Sequence, residues 1–231
     1  MMLILAVDTS GKYCSAAVYR DGEIVSDLAV NNGLTHSQVF MPMVDQALSL
    51  CGETIARVDA FACAVGPGSF TGVCIAVSAV KAFAQAAGKP CVPVNTLRAA
   101  AYNIADQDVP VCPVMDARRG QVYTAVYENG REIYPVSAVA LSELCEFLKG
   151  TGKSVIFAGD GVGVHRPEIE YRLGSTARFA PPHLCYQRAA AAAVLGAEEF
   201  RAGRTVNYAD LAAFYLRKPQ AEREYDAKHG S

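Results

Sequence analysis

Leu3-Ile4-Leu5-Ala6-Val7-Asp8-Thr9-Ser10-Gly11, with Tyr13–Tyr19, Arg20-Asp21-Gly22 and Glu23–Val30 behind it, decides the fold. The opening apolar run is too short for a helix and stops at a polar turn. Asp21-Gly22 then joins two β-type runs, and Asx-Gly is the pair that supplies the positive φ angles of a two-residue hairpin. The unit reads strand, Asp-containing turn, strand, hairpin turn, strand. It returns without a gap at an offset of 108 positions: Asp8 falls on Asp116, Ala17-Val18-Tyr19 on Ala125-Val126-Tyr127, Asp21 on Asn129 and Gly22 on Gly130. Val111–Met115, Gln121–Tyr127 and Arg131–Val136 are the strands of the second copy. A duplicated unit implies an α/β protein of two related lobes facing each other across a cleft.

Helices complete each lobe. From Ser37 to Cys51 the apolar residues Val39, Phe40, Met43, Val44, Ala47 and Leu48 recur at helical spacing, with Thr35 or Ser37 as N-cap and Gly52 as stop. Asp59–Val65 reads as a buried strand. Gly66-Pro67-Gly68-Ser69-Phe70-Thr71-Gly72 follows as a loop, and Val73–Ala87 is a helix apolar on nearly all sides and rich in Ala and Ser. Such a helix must be covered all round, by its own domain or by a partner. Later in the chain, Val155–Ala158 reads as a strand ending in Gly159-Asp160-Gly161, the place of the first lobe's Gly-Pro-Gly. Cys185–Ala202 reads as an alanine-rich helix, Asn207–Leu216 as a last helix, and residues 225–231 as a solvated, disordered tail. The lobes are expected over 1–105 and 106–224, the second one reduced.

Composition narrows the function. The 231 residues carry 21 Lys+Arg against 23 Asp+Glu, a net charge of −2, and 52% are hydrophobic. Such a chain buries a full core, which excludes a disordered protein, and lacks the basic excess of a free-standing nucleic-acid binder. The apolar N-terminus has no basic flank, and no run approaches the ~20 apolar residues of a spanning helix. A cytoplasmic protein with no membrane association is expected. The eight cysteines are scattered, with no Cys-x-x-Cys pair. They read as reduced core residues, with neither a disulfide framework nor a zinc site.

Two turns could hold an anion. Asp8-Thr9-Ser10 offers backbone N–H groups and hydroxyls. The Gly66, Gly68, Ser69 and Thr71 loop leads into a helix N-terminus, whose free N–H groups suit a negative charge. No Gly-Lys-Ser/Thr follows, so this is not a Walker A loop. Asp116-Ala117-Arg118-Arg119-Gly120, the second copy, lacks the hydroxyl and the tight glycines. His36, His165, His183 and His229 form no cluster in sequence.

The loop Gly66–Gly72 with its small-residue helix resembles the TsaB (YeaZ) family. So do Leu5-Ala6-Val7-Asp8-Thr9-Ser10, His36-Ser37, Met115-Asp116-Ala117-Arg118-Arg119-Gly120-Gln121-Val122-Tyr123 and Tyr215-Leu216-Arg217-Lys218-Pro219, in the family's order and over most of the chain. The resemblance implies the actin/Hsp70/sugar-kinase (ASKHA) fold. It also implies a role in tRNA modification, where a TsaD-type (Kae-type) enzyme moves a threonylcarbamoyl group onto the adenosine beside the anticodon. Within that picture the chain is a non-catalytic scaffold that binds and activates the TsaD-type subunit through a bundle of two helices from each partner. A TsaE-type ATPase docks on the pair. The expected helices are Ser37–Leu50 and Phe70–Ala87, with Phe40, Met43, Val44, Ala47, Val73, Val77 and Val80 as interface residues. A homodimer is expected when the chain is alone, and tRNA is contacted only indirectly.

The resemblance also sets what this chain lacks. Thr96 and Ala100 stand where TsaD-type chains carry two metal-binding histidines, so no intrinsic cofactor is expected, with ATP or ADP and metal on the partner subunits. Cys74 stands where many family members have an arginine, which removes an anion contact. The alternative is a small-molecule kinase of the same fold, using ATP in the interlobe cleft. The missing histidines disfavour a metallopeptidase.

Overall fold

The computed structural model describes residues 1–104 and 108–217. The first sheet is built from β1 (Leu3–Asp8), β2 (Cys14–Arg20), β3 (Glu23–Val30), β4 (Ala60–Gly66) and β5 (Cys91–Asn95), in the order β3-β2-β1-β4-β5. β1 pairs antiparallel with β2 and parallel with β4. The second sheet comprises β6 (Val111–Asp116), β7 (Gln121–Glu128), β8 (Arg131–Ala140), β9 (Val155–Ala158) and β10 (Ala177–Phe179), in the order β10-β9-β6-β7-β8. Here β6 pairs antiparallel with β7 and parallel with β9. The two sheets are one topology used twice. The offset of 108 carries Leu3–Asp8 onto Val111–Asp116, both ends coinciding. It also carries Asp21, at φ 48°, onto Asn129, at φ 50°.

Alternation along β1 puts side chains on both faces of a buried sheet. Leu3, Leu5 and Val7 face α1 (His36–Ser49) and α2 (Phe70–Ala87), in a core with Phe40, Val44, Phe61, Val73 and Val80. Ile4 and Ala6 face α6 (Ala189–Arg201), with Ala60, Ala62, Ala192, Ala193 and Ala197. Alanines, and Gly196 with a would-be Cβ only 2.6 Å from that of Ala62, let α6 lie close on the sheet. In the second lobe, α4 (Leu141–Thr151) and α5 (Val162–Leu173) cover one face through Leu144, Leu148 and Ile169 against Val114, Val122 and Phe157. The other face is met by Leu97 of α3 (Thr96–Tyr102), which packs on Met115 and Ala125.

The chain therefore crosses over. α3, from the first half, covers the second sheet, while α6, near the C-terminus, covers the first. This departs from the expected division at 105/106, since Ala189–Arg201 and the segment 206–215 pack with the first lobe. The boundary itself and the 225–231 tail lie outside the described residues.

The expected helix over Asn207–Leu216 does not form. The segment makes one turn and then runs as a strap along the first lobe. Asn207 caps that turn, its Oδ1 accepting from Ala209 N at 3.0 Å and its O from Leu211 N at 3.1 Å, and the turn does not continue into a helix. Cys91 and Val206 exchange both backbone hydrogen bonds at 2.9 Å. Leu211 enters the core of the first lobe, and Phe214 N donates to Val65 O at 2.7 Å. Ten residues with partners waiting at the ends of β4 and β5 gain more by pairing with the sheet than by forming an isolated helix.

Candidate functional site: an interlobe turn and a helix pair

The end of β1 is buried: Asp8, Thr9 and Ser10 are at most 1% exposed. Asp8 Oδ1 accepts from Ser10 N at 2.8 Å and Ser10 Oγ at 2.6 Å, while Asp8 Oδ2 has no partner among the described residues. Burial pushes the Asp8 carboxyl above its ordinary range, against the hydrogen bonds from Ser10. The glycine loop is shut onto this turn. Ser69 N donates to Ser10 O at 2.7 Å, and Thr9 Oγ1 donates to Gly72 O at 2.6 Å. A Cβ at Gly68 or Gly72 would collide with the carbonyl oxygens of Ser10 and Thr9. Gly66 is held the same way against the Phe214 carbonyl oxygen. Ser69 caps α2, its Oγ accepting from Gly72 N at 3.3 Å, and Thr71 is exposed on the first turn.

This narrows the anion-site expectation for Asp8, Thr9, Ser10, Gly66, Gly68, Ser69 and Thr71. The N–H groups of Ser10, Ser69 and Gly72 and the Thr9 hydroxyl are spent within the chain, and the glycines serve backbone-to-backbone packing. The second copy repeats the device: Gly159 and Gly161 have no room for a Cβ against the backbone of Val114–Asp116. Carboxyl groups, the Lys12 cation and the Gln187 amide gather beside this turn. Asp160 is pushed up to about 6, by burial first, with Asp116 and Asp8 adding and Lys12 opposing. His165 Nε2 lies 3.2 Å from Asp116 Oδ1, and Gln187 is buried with both side-chain polar atoms unpartnered. Asp160, His165 and Gln187 escaped the sequence reading. Only Asp160 carried a signal, its place between two glycines after a strand.

The helix pair needs the opposite correction. Phe40, Met43, Val44, Ala47, Val73, Val77 and Val80 are 0–7% exposed and pack under the helices against the first sheet. They cannot meet a partner. Helical periodicity finds the residues that share a face, and the most apolar face is the one the lobe's own core takes. The outward faces are Ser37, Met41, Asp45 and Gln46 on α1 and Ser78, Ala82, Gln85 and Ala86 on α2, with Cys74, Ile75 and Ala79 half-buried. α2 has a mean hydropathy of 1.5 over 18 residues, yet only 33% of it is buried. Its length and composition would suit a membrane span. Val73, Ala76, Val80 and Ala84 nevertheless lock it into the core of the lobe.

At its start, α2 meets the strap. Tyr215 stacks on Phe70 with centroids 4.7 Å apart, and its hydroxyl lies 2.9 Å from Cys74 Sγ. Arg217 Nη1 continues to Ala117 O in the second lobe at 3.0 Å. Cys74, where an arginine was the family expectation, thus contacts the strap. The cysteines carry no disulfide, and burial pushes the Cys112 thiol up to about 12 and the Cys14 thiol up to about 11. Thr96 and Ala100 are buried in α3, four positions apart. Among the described residues no three His, Cys, Asp or Glu side chains gather as a metal site.

Comparison with known proteins agrees on one lineage. The family model for TsaD, tRNA N6-adenosine threonylcarbamoyltransferase, matches residues 31–225. The tRNA threonylcarbamoyladenosine biosynthesis protein TsaB of Bacillus subtilis (strain 168) is 32% identical over 228 residues, covering 97% of this chain and 98% of that protein. A Pseudomonas aeruginosa crystal structure, described as similar to peptidase YeaZ, superposes with a TM-score of 0.81 at 27% identity, over 94% of this chain and all of that one. The ROK hexokinase of Thermus thermophilus, at 13% identity and a TM-score of 0.53 over 87% of this chain and 100% of that one, shares the fold alone. With the duplicated topology, these place the fold in the ASKHA class, and the chain belongs to the TsaB (YeaZ) family of tRNA threonylcarbamoyladenosine biosynthesis proteins.

Proposed function

We propose that the chain is a scaffold subunit in threonylcarbamoylation of the tRNA adenosine beside the anticodon. It binds a TsaD-type transferase and stabilises that enzyme's active conformation, and it is itself catalytically inert. The observation that carries this is α2: an apolar helix with one side in the core and a small-residue side left uncovered. Small residues let a second helix approach closely, and an uncovered apolar face calls for a partner. α1 extends the surface through Met41, which is 51% exposed. The face would bury roughly 1,600 Å² in total, as a standard interface does. Alone, the same face pairs two copies of the chain.

Nucleotide and metal belong to the partner subunits in this proposal, and the TsaE-type ATPase joins the assembled pair. The closed Asp8–Ser10 turn supports inertness, because a kinase needs that turn free for phosphate. We place the chain in the cytoplasm, where charged tRNA is used.

Light scattering after size-exclusion chromatography tests this, on the chain alone and mixed with the TsaD-type protein of the same cell. A concentration-dependent homodimer that converts to a 1:1 heterodimer is the expected result. A monomer that ignores the transferase would sink the proposal, and ATP turnover with small acceptors would then become the leading assay.

A further inference from the structure

The two lobes meet where Gly11-Lys12-Tyr13, after β1, faces Asp160, Tyr186 and Gln187. The approach is close. A Cβ placed on Gly11 would lie 2.9 Å from Gln187 Oε1 and 3.0 Å from Asp160 Oδ2. Lys12 N–H donates to the Asp160 carboxylate, and Tyr13 meets Tyr186 with ring centroids 4.8 Å apart. Behind them, Ala189 N donates to Ser15 Oγ at 3.0 Å.

The charges across this contact are unbalanced. Asp160 is faced by Asp8 from β1, by Asp116 from the end of β6 and, among the described residues, by the one cation of Lys12. His165 of α5 sits on Asp116 at 3.2 Å. His36 of α1 acts on Asp8 and is tied to Gly11 O at 2.8 Å. Cys185 and Tyr186 border Asp160 as neutral groups whose own ionisation burial opposes. Asp8 Oδ2 and both polar atoms of Gln187 are buried without partners among the described residues. Bringing the lobes together crowds Asp160 against Asp8 and Asp116 and takes it half out of water, while Asp116 stays exposed; among the described residues Lys12 is the cation set against Asp160.

We propose that this contact is a proton-controlled latch: the lobes close with uptake of one proton by Asp160, and its loss releases them. Closed, the latch seals Gly11–Tyr13 against the second lobe, while the glycine loop keeps the Asp8–Ser10 turn covered from within the first. Open, Asp160 returns to water. Closure raises its carboxyl from the ordinary 3.8 to about 6, and Lys12 is what keeps it from rising further. Because the closed form holds the proton more tightly, closure is fully supported below about pH 4, and the support fades as pH rises through about 6. Each pKa unit is tenfold in the equilibrium, so the closed-to-open ratio falls about a hundredfold across that window, about tenfold of it between pH 5 and 7.5.

Hydrogen exchange of the full chain between pH 5 and 7.5, corrected for the intrinsic chemical rate, tests the latch. The reporters are peptides covering Gly11–Tyr13 and residues 184–188, with Phe61–Ala64 in β4 as the control. About tenfold loss of protection in the reporters, with the control unchanged, is expected. Asp160→Asn should flatten that profile. Lys12→Met, at an exposed side chain whose loss the fold tolerates, should move the midpoint above that of the parent. Protection in the parent that does not change with pH overturns the proposal. So does a pH response that survives Asp160→Asn, or a midpoint that ignores Lys12→Met.

Discussion

Gly72 shows how a residue can look like a ligand site and serve as packing. In sequence it belongs to a glycine-rich loop before a helix, the pattern of a phosphate cradle. In the fold its missing Cβ lets α2 rest on the Thr9 carbonyl, while Thr9 Oγ1 bonds back to Gly72 O. Nothing in the local pattern separates these uses, because both need a bare backbone at close approach. What separates them is Ser10 and Thr9, some sixty positions earlier in the chain. Gly72→Ala therefore forces backbone to move and should destabilise the chain by roughly 1–3 kcal/mol. Urea unfolding followed by circular dichroism checks it, and a neutral result would mean the loop has slack that the geometry denies.

At the scale of elements, the sequence announced strands better than helices. β1 and its repeat were legible to within one residue, the reading stopping at Val7 and Met115 where the strands run on through Asp8 and Asp116, and the Asx-Gly turns fix the register. α1 and α2 were legible as helices, but not in orientation. Phe40 and Ala82 make the contrast testable. Phe40→Ala empties a fully packed site under α1 and should cost about 3–5 kcal/mol. Ala82→Arg, on the exposed side of α2, should leave stability within about 0.5 kcal/mol and abolish pairing with a second copy or a transferase. Thermal unfolding alongside light scattering separates the two outcomes. The strap was misread because Ala212-Ala213-Phe214-Tyr215-Leu216 suits a helix by composition, while its backbone partners lie in β4 and β5, far away in sequence.

For the whole molecule, the duplication was readable from one sliding comparison, and the crossing of the chain was not. Two copies of a unit suggest two consecutive lobes. Only three-dimensional packing shows that α6 and the strap close the lobe that α1 and α2 began. Removing everything after Ala202 should accordingly damage the first lobe, since Leu211 and the Cys91–Val206 pairing go with it. Exchange in Leu3–Val7 and Phe61–Ala64 should quicken more than in Val155–Ala158, and equal change in both lobes would show that the strap stabilises them without preference.

The return of α6 has a further consequence on the ribosome. β1 leaves the tunnel well before α6 is made, so Ile4, Ala6, Ala60 and Ala62 wait for a cover that lies far downstream of them in the chain. For most of translation that face is bare, and pairings so distant in sequence close slowly. The nascent first half is thus a natural client for a chaperone, and a translational pause just before α6 emerges would prolong its vulnerability.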